Sequence, residues 1–163
     1  MADEIMTAAE ALEADAIPRV RSVHTDPKAK EACEQEPLPA SVTKKPVNAK
    51  SPAEWAYERL IIYIKNFEEL LDNEHEVAMG FTGAQAGTIR IEGMGYFDPD
   101  IITFYGSDDA GTRTQLIQHV SQLNVLLRAL PKVNDDPPNR IGFRLVADLE
   151  ASDQEAGKET TDA

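Results

Sequence analysis

Apolar residues recur at two spacings along the middle of this chain. Leu60, Ile64, Phe67 and Leu71 stand three or four apart, the stripe of a helix with 3.6 residues per turn. Just upstream, Ser51-Pro52-Ala53-Glu54 combines a capping serine, a glutamate three residues later and a proline in the first turn, which predicts where that helix starts. Val77, Met79 and Phe81 then alternate with Ala78 and Gly80, and Ile89 and Ile91 with Arg90 and Glu92. That period of two predicts a pair of half-buried strands. A third strand is expected over 101–105, after the turn-forming Phe97-Asp98-Pro99-Asp100. Leu116, Val120, Leu123, Leu127 and Leu130 return to helical spacing and predict a second helix from about Thr112 to Leu130, stopped by Pro131. Ile141, Phe143, Leu145, Ala147 and Leu149 share one parity and predict a last strand.

The expected fold is therefore α+β, in the order α-β-β-β-α-β. Its economical form is a two-layer sandwich with two helices on one face of a four-stranded mixed sheet. All ten aromatic residues lie between Trp55 and Phe143, so residues 51–149 are expected to be the folded domain. Residues 1–50 lack aromatics and carry Pro18, Pro27, Pro37, Pro39 and Pro46, the composition of a disordered arm. Residues 150–163 read as an acidic disordered tail. Within the arm, Ile5, Ala9, Leu12 and Ala16 have near-helical spacing, and a helix this short is marginal unless it docks.

The 163 residues carry 16 Lys plus Arg against 29 Asp plus Glu, a formal net charge of −13. Nucleic acids and anionic membranes are bound chiefly by clustered cations, so neither is an expected partner. The single cysteine, Cys33, excludes an intrachain disulfide. With no apolar run near the ~20 residues that span a bilayer, and with the acidic opening Met1-Ala2-Asp3-Glu4, a cytoplasmic protein is expected.

Candidate chemistry is sparse. Asp98, Asp100, Asp108 and Asp109 could together offer oxygen ligands to Mg²⁺ or Ca²⁺, although their spacing fits no calcium loop. The loop Gly106-Ser107-Asp108-Asp109-Ala110-Gly111-Thr112-Arg113 lacks the Gly-Lys-Ser/Thr of a phosphate loop, and its aspartates would repel the phosphate. Gly93-Met94-Gly95 lacks the third glycine of a dinucleotide fingerprint. His24, His75 and His119 form no metal pair, and no nucleophile stands in a catalytic setting. No cofactor is expected.

The segment Thr114-Gln115-Leu116-Ile117-Gln118-His119-Val120-Ser121-Gln122-Leu123-Asn124-Val125-Leu126-Leu127, with Arg140-Ile141-Gly142-Phe143 beyond it, resembles an uncharacterised bacterial family described only as a domain of unknown function. The resemblance implies a bacterial protein and one compact domain over roughly 51–149. It implies no activity and no catalytic residue.

The remaining feature is the sheet face turned away from the helices. On the expected register it presents Ala78, Gly80, Arg90, Gly142 and Arg144, small residues rimmed by arginine. Small residues weaken a solvated strand but let another surface come close. The expected function is a non-catalytic interaction or assembly module that binds a protein partner or a second copy. The alternative is a small metal- or ligand-binding enzyme domain working from the acidic loops.

Overall fold

A computed structural model describes residues 21–26, 28, 34, 37–81 and 87–159. Residues 2–16, Cys33 and the glycine-containing loop at 82–86 lie outside the described residues. The chain divides into two units between Lys50 and Ser51. In the first, Lys50 follows the 3-10 turn Val47–Ala49 and donates to the carbonyl of Val42 in the short helix α1 (Ala40–Thr43).

The second unit contains α2 (Pro52–Glu69), five strands and α3 (Ile141–Glu159). The strands are β1 (His75–Phe81), β2 (Thr88–Phe97), β3 (Ile101–Ser107), β4 (Arg113–His119) and β5 (Val125–Pro131). All pairings are antiparallel, in the spatial order β4-β3-β2-β1-β5. The class is α+β, but the expected four-stranded mixed sheet is a five-stranded antiparallel one.

α2 begins where its capping residues place it. Ser51 Oγ accepts the Glu54 N–H at 3.1 Å, and Pro52 stands where a missing N–H costs nothing. Ser51 also donates to Asp98, and the Ala53 N–H donates to the Pro99 carbonyl at 2.9 Å. Those bonds fasten the helix start to the β2–β3 turn. The buried line of α2 is Ala53, Tyr57, Ile61, Ile64 and Glu68, rotated slightly from the stripe read in the sequence.

Two expected elements are exchanged. The expected helix at 112–130 is β4, a 3-10 turn (Val120–Gln122) and β5. Leu116, Val120, Leu123 and Leu127 do pack on the core, but as inward residues of a strand, a turn and a second strand. The β-branched Thr114, Ile117, Val120 and Val125 suit that conformation better than a helix. Conversely, the expected strand at 141–149 opens α3, with Ile141, Leu145 and Val146 buried and Leu149 partly buried. Phe143, on the same parity, is nearly half exposed and lies under the Lys65 ammonium, 5.8 Å from its ring. The helix then runs through Glu159, across the boundary at 149 that composition suggests.

Chain reach forces the sheet to curl. β4 and β5 occupy opposite edges and run in the same direction, so the chain must pass from the end of one edge to the far end of the other. On a flat sheet with ~4.8 Å between strands, that diagonal is about 28 Å. Residues 120–124 could reach about 20 Å if fully extended, and less with a 3-10 turn included. The sheet is therefore strongly curled. β2 makes the bend: residues 88–90 pair with β1 and residues 90–97 with β3, with Glu92 left over as a bulge between Ile91 and Gly93. Inside lie Val77, Met79, Phe81, Ile89, Ile91, Ile102 and Phe104, closed over by α2 and α3. Phe81 and Phe104 meet edge to face, with centroids 4.9 Å apart.

Gly106 sits beside the bulge, buried against β2. A Cβ there would lie 2.0 Å from the Arg90 carbonyl oxygen and 2.9 Å from Ile89 Cγ2. Backbone cannot yield as a side chain can, so Gly106→Ala is expected to cost about 1–3 kcal/mol or more through overpacking. Ile117→Ala, on an exposed strand face, should cost much less. Urea melts of the two variants test this, and an equal loss of stability would contradict the packing described.

Candidate functional site

The outer face of the curled sheet carries the residues singled out in the sequence only in part. Ala78, Gly80 and Arg90 lie on it. The ladder pairings set Arg128, Ala78, Arg90, Ser107 and Arg113 side by side across all five strands. Ala78, between two arginines, is 0% exposed and offers no contact area of its own. Gly80 has Leu126 packed over it, with a would-be Cβ 3.6 Å from Leu126 Cβ. Gly93 and Gly95 similarly lie beneath the ring of Tyr105, whose hydroxyl is 3.3 Å from Thr103 Oγ1. The small residues thus leave room for larger cross-strand neighbours. Leu126, 60% exposed, and Tyr105, 43%, carry the apolar surface outward, as does Ile117 at 62% on β4.

Gly142 and Arg144 are not on this surface, because the segment that holds them is the first turn of α3. Gly142 is buried where α3 meets α2. A Cβ there would fall 2.7 Å from Glu68 Oε2 and 2.8 Å from Lys65 Cα. Its N–H donates to both Glu68 oxygens at 3.0 Å. Glu68 is only 2% exposed, and burial pushes its carboxyl pKa up; the N–H bonds at the start of α3 and the Arg140 charge pull it partly back. A carboxylate at a helix N-terminus satisfies orphan donors and the positive end of the dipole. Arg140 completes the junction by donating to the Asp72 and His75 carbonyls at 2.7 and 2.8 Å. Sequence reasoning missed Glu68. The available signal was a glutamate on the apolar line of α2.

Arg90 is committed to structure. Its guanidinium reaches Glu76 at 3.3 Å and the Pro131 carbonyl at 2.8 Å, while Glu76 accepts the Asn139 N–H at 2.8 Å. Glu76, Arg90 and Asn139, with Glu92, Ser107 and Val133, line a cleft of about 220 Å³.

The four aspartates do not converge. Asp98 and Asp100 stand before β3 and Asp108 and Asp109 after it, separated by about 20 Å of strand. Asp98 accepts from Ser51, and Asp108 accepts the Ala110 and Thr112 N–H groups at 3.0 and 2.8 Å, closing its own loop. Among the described residues no group of three or more His, Cys, Asp or Glu could hold a metal ion. Asp100 Oδ2 lies 2.9 Å from His119 Nε2, and His119 Nδ1 is 2.7 Å from Ser121 Oγ. The same Nδ1 accepts the Ser121 N–H at 3.1 Å. The ring therefore caps the 3-10 turn, and this exposed trio is a turn fastening rather than a nucleophile poised over a pocket.

No described helix is long and apolar enough to cross a membrane. Residues 45–144 match the model of a family of unknown function, a span that includes every strand, α2 and the Glu68–Gly142 junction. No curated protein and no solved structure matches the chain.

The Glu68 junction has a pH signature. The fold raises this pKa above its ordinary 4.5, so the folded state holds the proton more tightly than the unfolded state. The stability it contributes is fully present below about pH 4.5 and is lost as pH rises through the folded value. Thermal melts of wild type and Glu68→Gln should therefore show the wild type's relative stability falling from pH 4 to pH 8. A relative stability that rises over that range would show the opposite shift.

Proposed function

The chain belongs to the DUF6173 family of unknown function, and we propose that its strand domain is a non-catalytic module that assembles with a second copy or binds a protein partner through its outer surface. One observation carries this reading. Ile117, Leu126 and Tyr105 present large apolar groups on strands that no described helix covers. Apolar side chains on a strand surface, with arginines beside them, have the makeup of an interface centre and its rim. The acidic groups support the same reading. Asp98, Asp100 and Asp108, at the strand ends, already serve turns and caps.

The full chain is expected to sediment, at micromolar concentration, well above its 17.9 kDa monomer mass. Gly80→Glu places a charge beneath Leu126 and should weaken association at least tenfold. Since a Cβ there stays at van der Waals distance from Leu126 and the backbone need not move, its melting behaviour should change little. Sedimentation equilibrium of both chains decides the matter. A wild type that stays monomeric and captures no protein partner overturns the proposal.

A further inference from the structure

The cleft beside the β2 bulge is built from fastened parts. One of its walls comes from the segment 132–139, and both ends of that segment are tied to the start of β1. The Lys132 N–H donates to the Glu74 carbonyl at 2.8 Å, and the Asn139 N–H to Glu76 Oε1 at 2.8 Å. Within the segment, Asn134 Oδ1 accepts the Asp136 N–H at 3.1 Å, and Pro137 and Pro138 restrict the backbone that follows. The cleft is also lined by Ser107 of β3 and by Glu92, the residue that the β2–β3 ladder leaves over. A bulge of this kind is a common means of re-aiming a side chain towards a site. At about 220 Å³ the space is below the roughly 300–1,000 Å³ of sites for drug-sized ligands, so its occupant is small.

The charges in the cleft are unevenly spent. Arg90 and Glu76 meet at 3.3 Å, and each has a further partner, the Pro131 carbonyl and the Asn139 N–H. Their side chains are only 21% and 18% exposed, so this pair belongs to the frame. Glu92 has no such partner. Among the described residues, neither its carboxylate, nor the Ser107 hydroxyl, nor the Asn139 carboxamide takes part in a hydrogen bond or ion pair.

Those unspent groups select the occupant. With Arg90 neutralised by Glu76, the charge left over is that of Glu92, which calls for a monocation. Hard divalent ions take about six or more oxygen ligands, and here one free carboxylate stands beside a guanidinium. A primary ammonium has three N–H donors, enough for the carboxylate, the hydroxyl and the carboxamide oxygen together. Val133, 77% exposed, offers an apolar surface to the carbon chain behind it.

We propose that this cleft binds a primary alkylammonium group, with Glu92 as its counter-ion and Ser107 and Asn139 as further acceptors. The site shares no lining residue with the surface at Ile117, Leu126 and Tyr105, and it stands whether or not copies assemble.

The test is a titration of the isotope-labelled full chain followed by amide NMR. Butylammonium is the probe, with sodium and tetramethylammonium as charge controls and Mg²⁺ as the metal control, all at matched ionic strength. The expected result is a saturable shift confined to the amides of Glu92, Ser107 and the 132–139 segment, which neither charge control reproduces. Glu92→Gln keeps the side chain's shape and should weaken binding about tenfold or more, through loss of charge-assisted hydrogen bonds. Ser107→Ala should weaken it several-fold. Glu150→Gln makes the same charge change at an exposed position of α3 and should leave binding unchanged. Thermal melts of the three variants serve as the folding control. Nα-acetyl-lysine amide carries the same ammonium: its binding identifies a protein's lysine side chain as the source, and its exclusion a free small amine. Shifts that never saturate, that spread over acidic residues throughout the chain, or that survive both Glu92→Gln and Ser107→Ala would overturn the proposal. Tighter binding of Mg²⁺ at the same amides would overturn it as well.

Discussion

Five residues link β4 to β5, and they are too few to cross a flat sheet. The rest of the domain follows from that shortage. To bring opposite corners within reach, the sheet must curl, and to curl it β2 must serve both halves, pairing first with β1 and then with β3. The bend falls at Glu92, the residue without a place in the ladder, and opposite it only glycine fits at 106. Curling also separates inside from outside more sharply than a flat layer would. The inner side chains converge on one core, and the outer ones diverge over a convex surface on which each exposed apolar group stands out.

A curled sheet has open ends, and α2 and α3 seal the core. Their junction is polar where a helix pair is ordinarily greasy. Glu68 is accommodated because the first turn of α3 brings unpaired N–H groups that need an acceptor. Gly142 is the condition of that fit, since any side chain would separate the carboxylate from the amides it serves. Tyr57, in the same core, has its hydroxyl pKa pushed up to about 12, by burial first and by Asp148 and Tyr96 second. Polar groups are therefore admitted to this interior where a partner or a neutral form makes burial tolerable.

Much of the fold was legible from spacing alone. The capping residues placed the start of α2, alternation placed β1 and the first part of β2, and the turn at Phe97-Asp98-Pro99-Asp100 placed β3. The two exchanges arose where periodicity is degenerate. Positions 116, 120, 123 and 127 are spaced for a helical stripe, yet they are also the inward positions of a strand, a turn and another strand. Likewise 141, 145 and 149 satisfy both a period of two and a period near four. What decides such cases is tertiary: the edge of β3 needs a neighbour, and α3 needs a cap that only Glu68 supplies. The outer surface was partly legible for the same reason. Ala78, Gly80 and Arg90 belong to correctly read strands, whereas Gly142 and Arg144 were assigned to a strand that is a helix. Ile117 and Leu126, two of the large exposed side chains of the surface, were hidden inside the misread helix.

The cap on α3 has a consequence for the order in which the chain organises. Glu68 precedes Gly142 by 74 positions, so the group that satisfies the first turn of α3 belongs to an element made much earlier. Helices nucleate poorly by themselves, and among the described residues no neighbouring side chain caps the start of this one. On a chain emerging from a ribosome, α2 and the strands are already outside when residues 141–159 appear. The last helix then forms against a surface that already holds its first hydrogen-bond acceptor. Synthesis direction and stability point the same way, and the final segment completes the domain rather than seeding it.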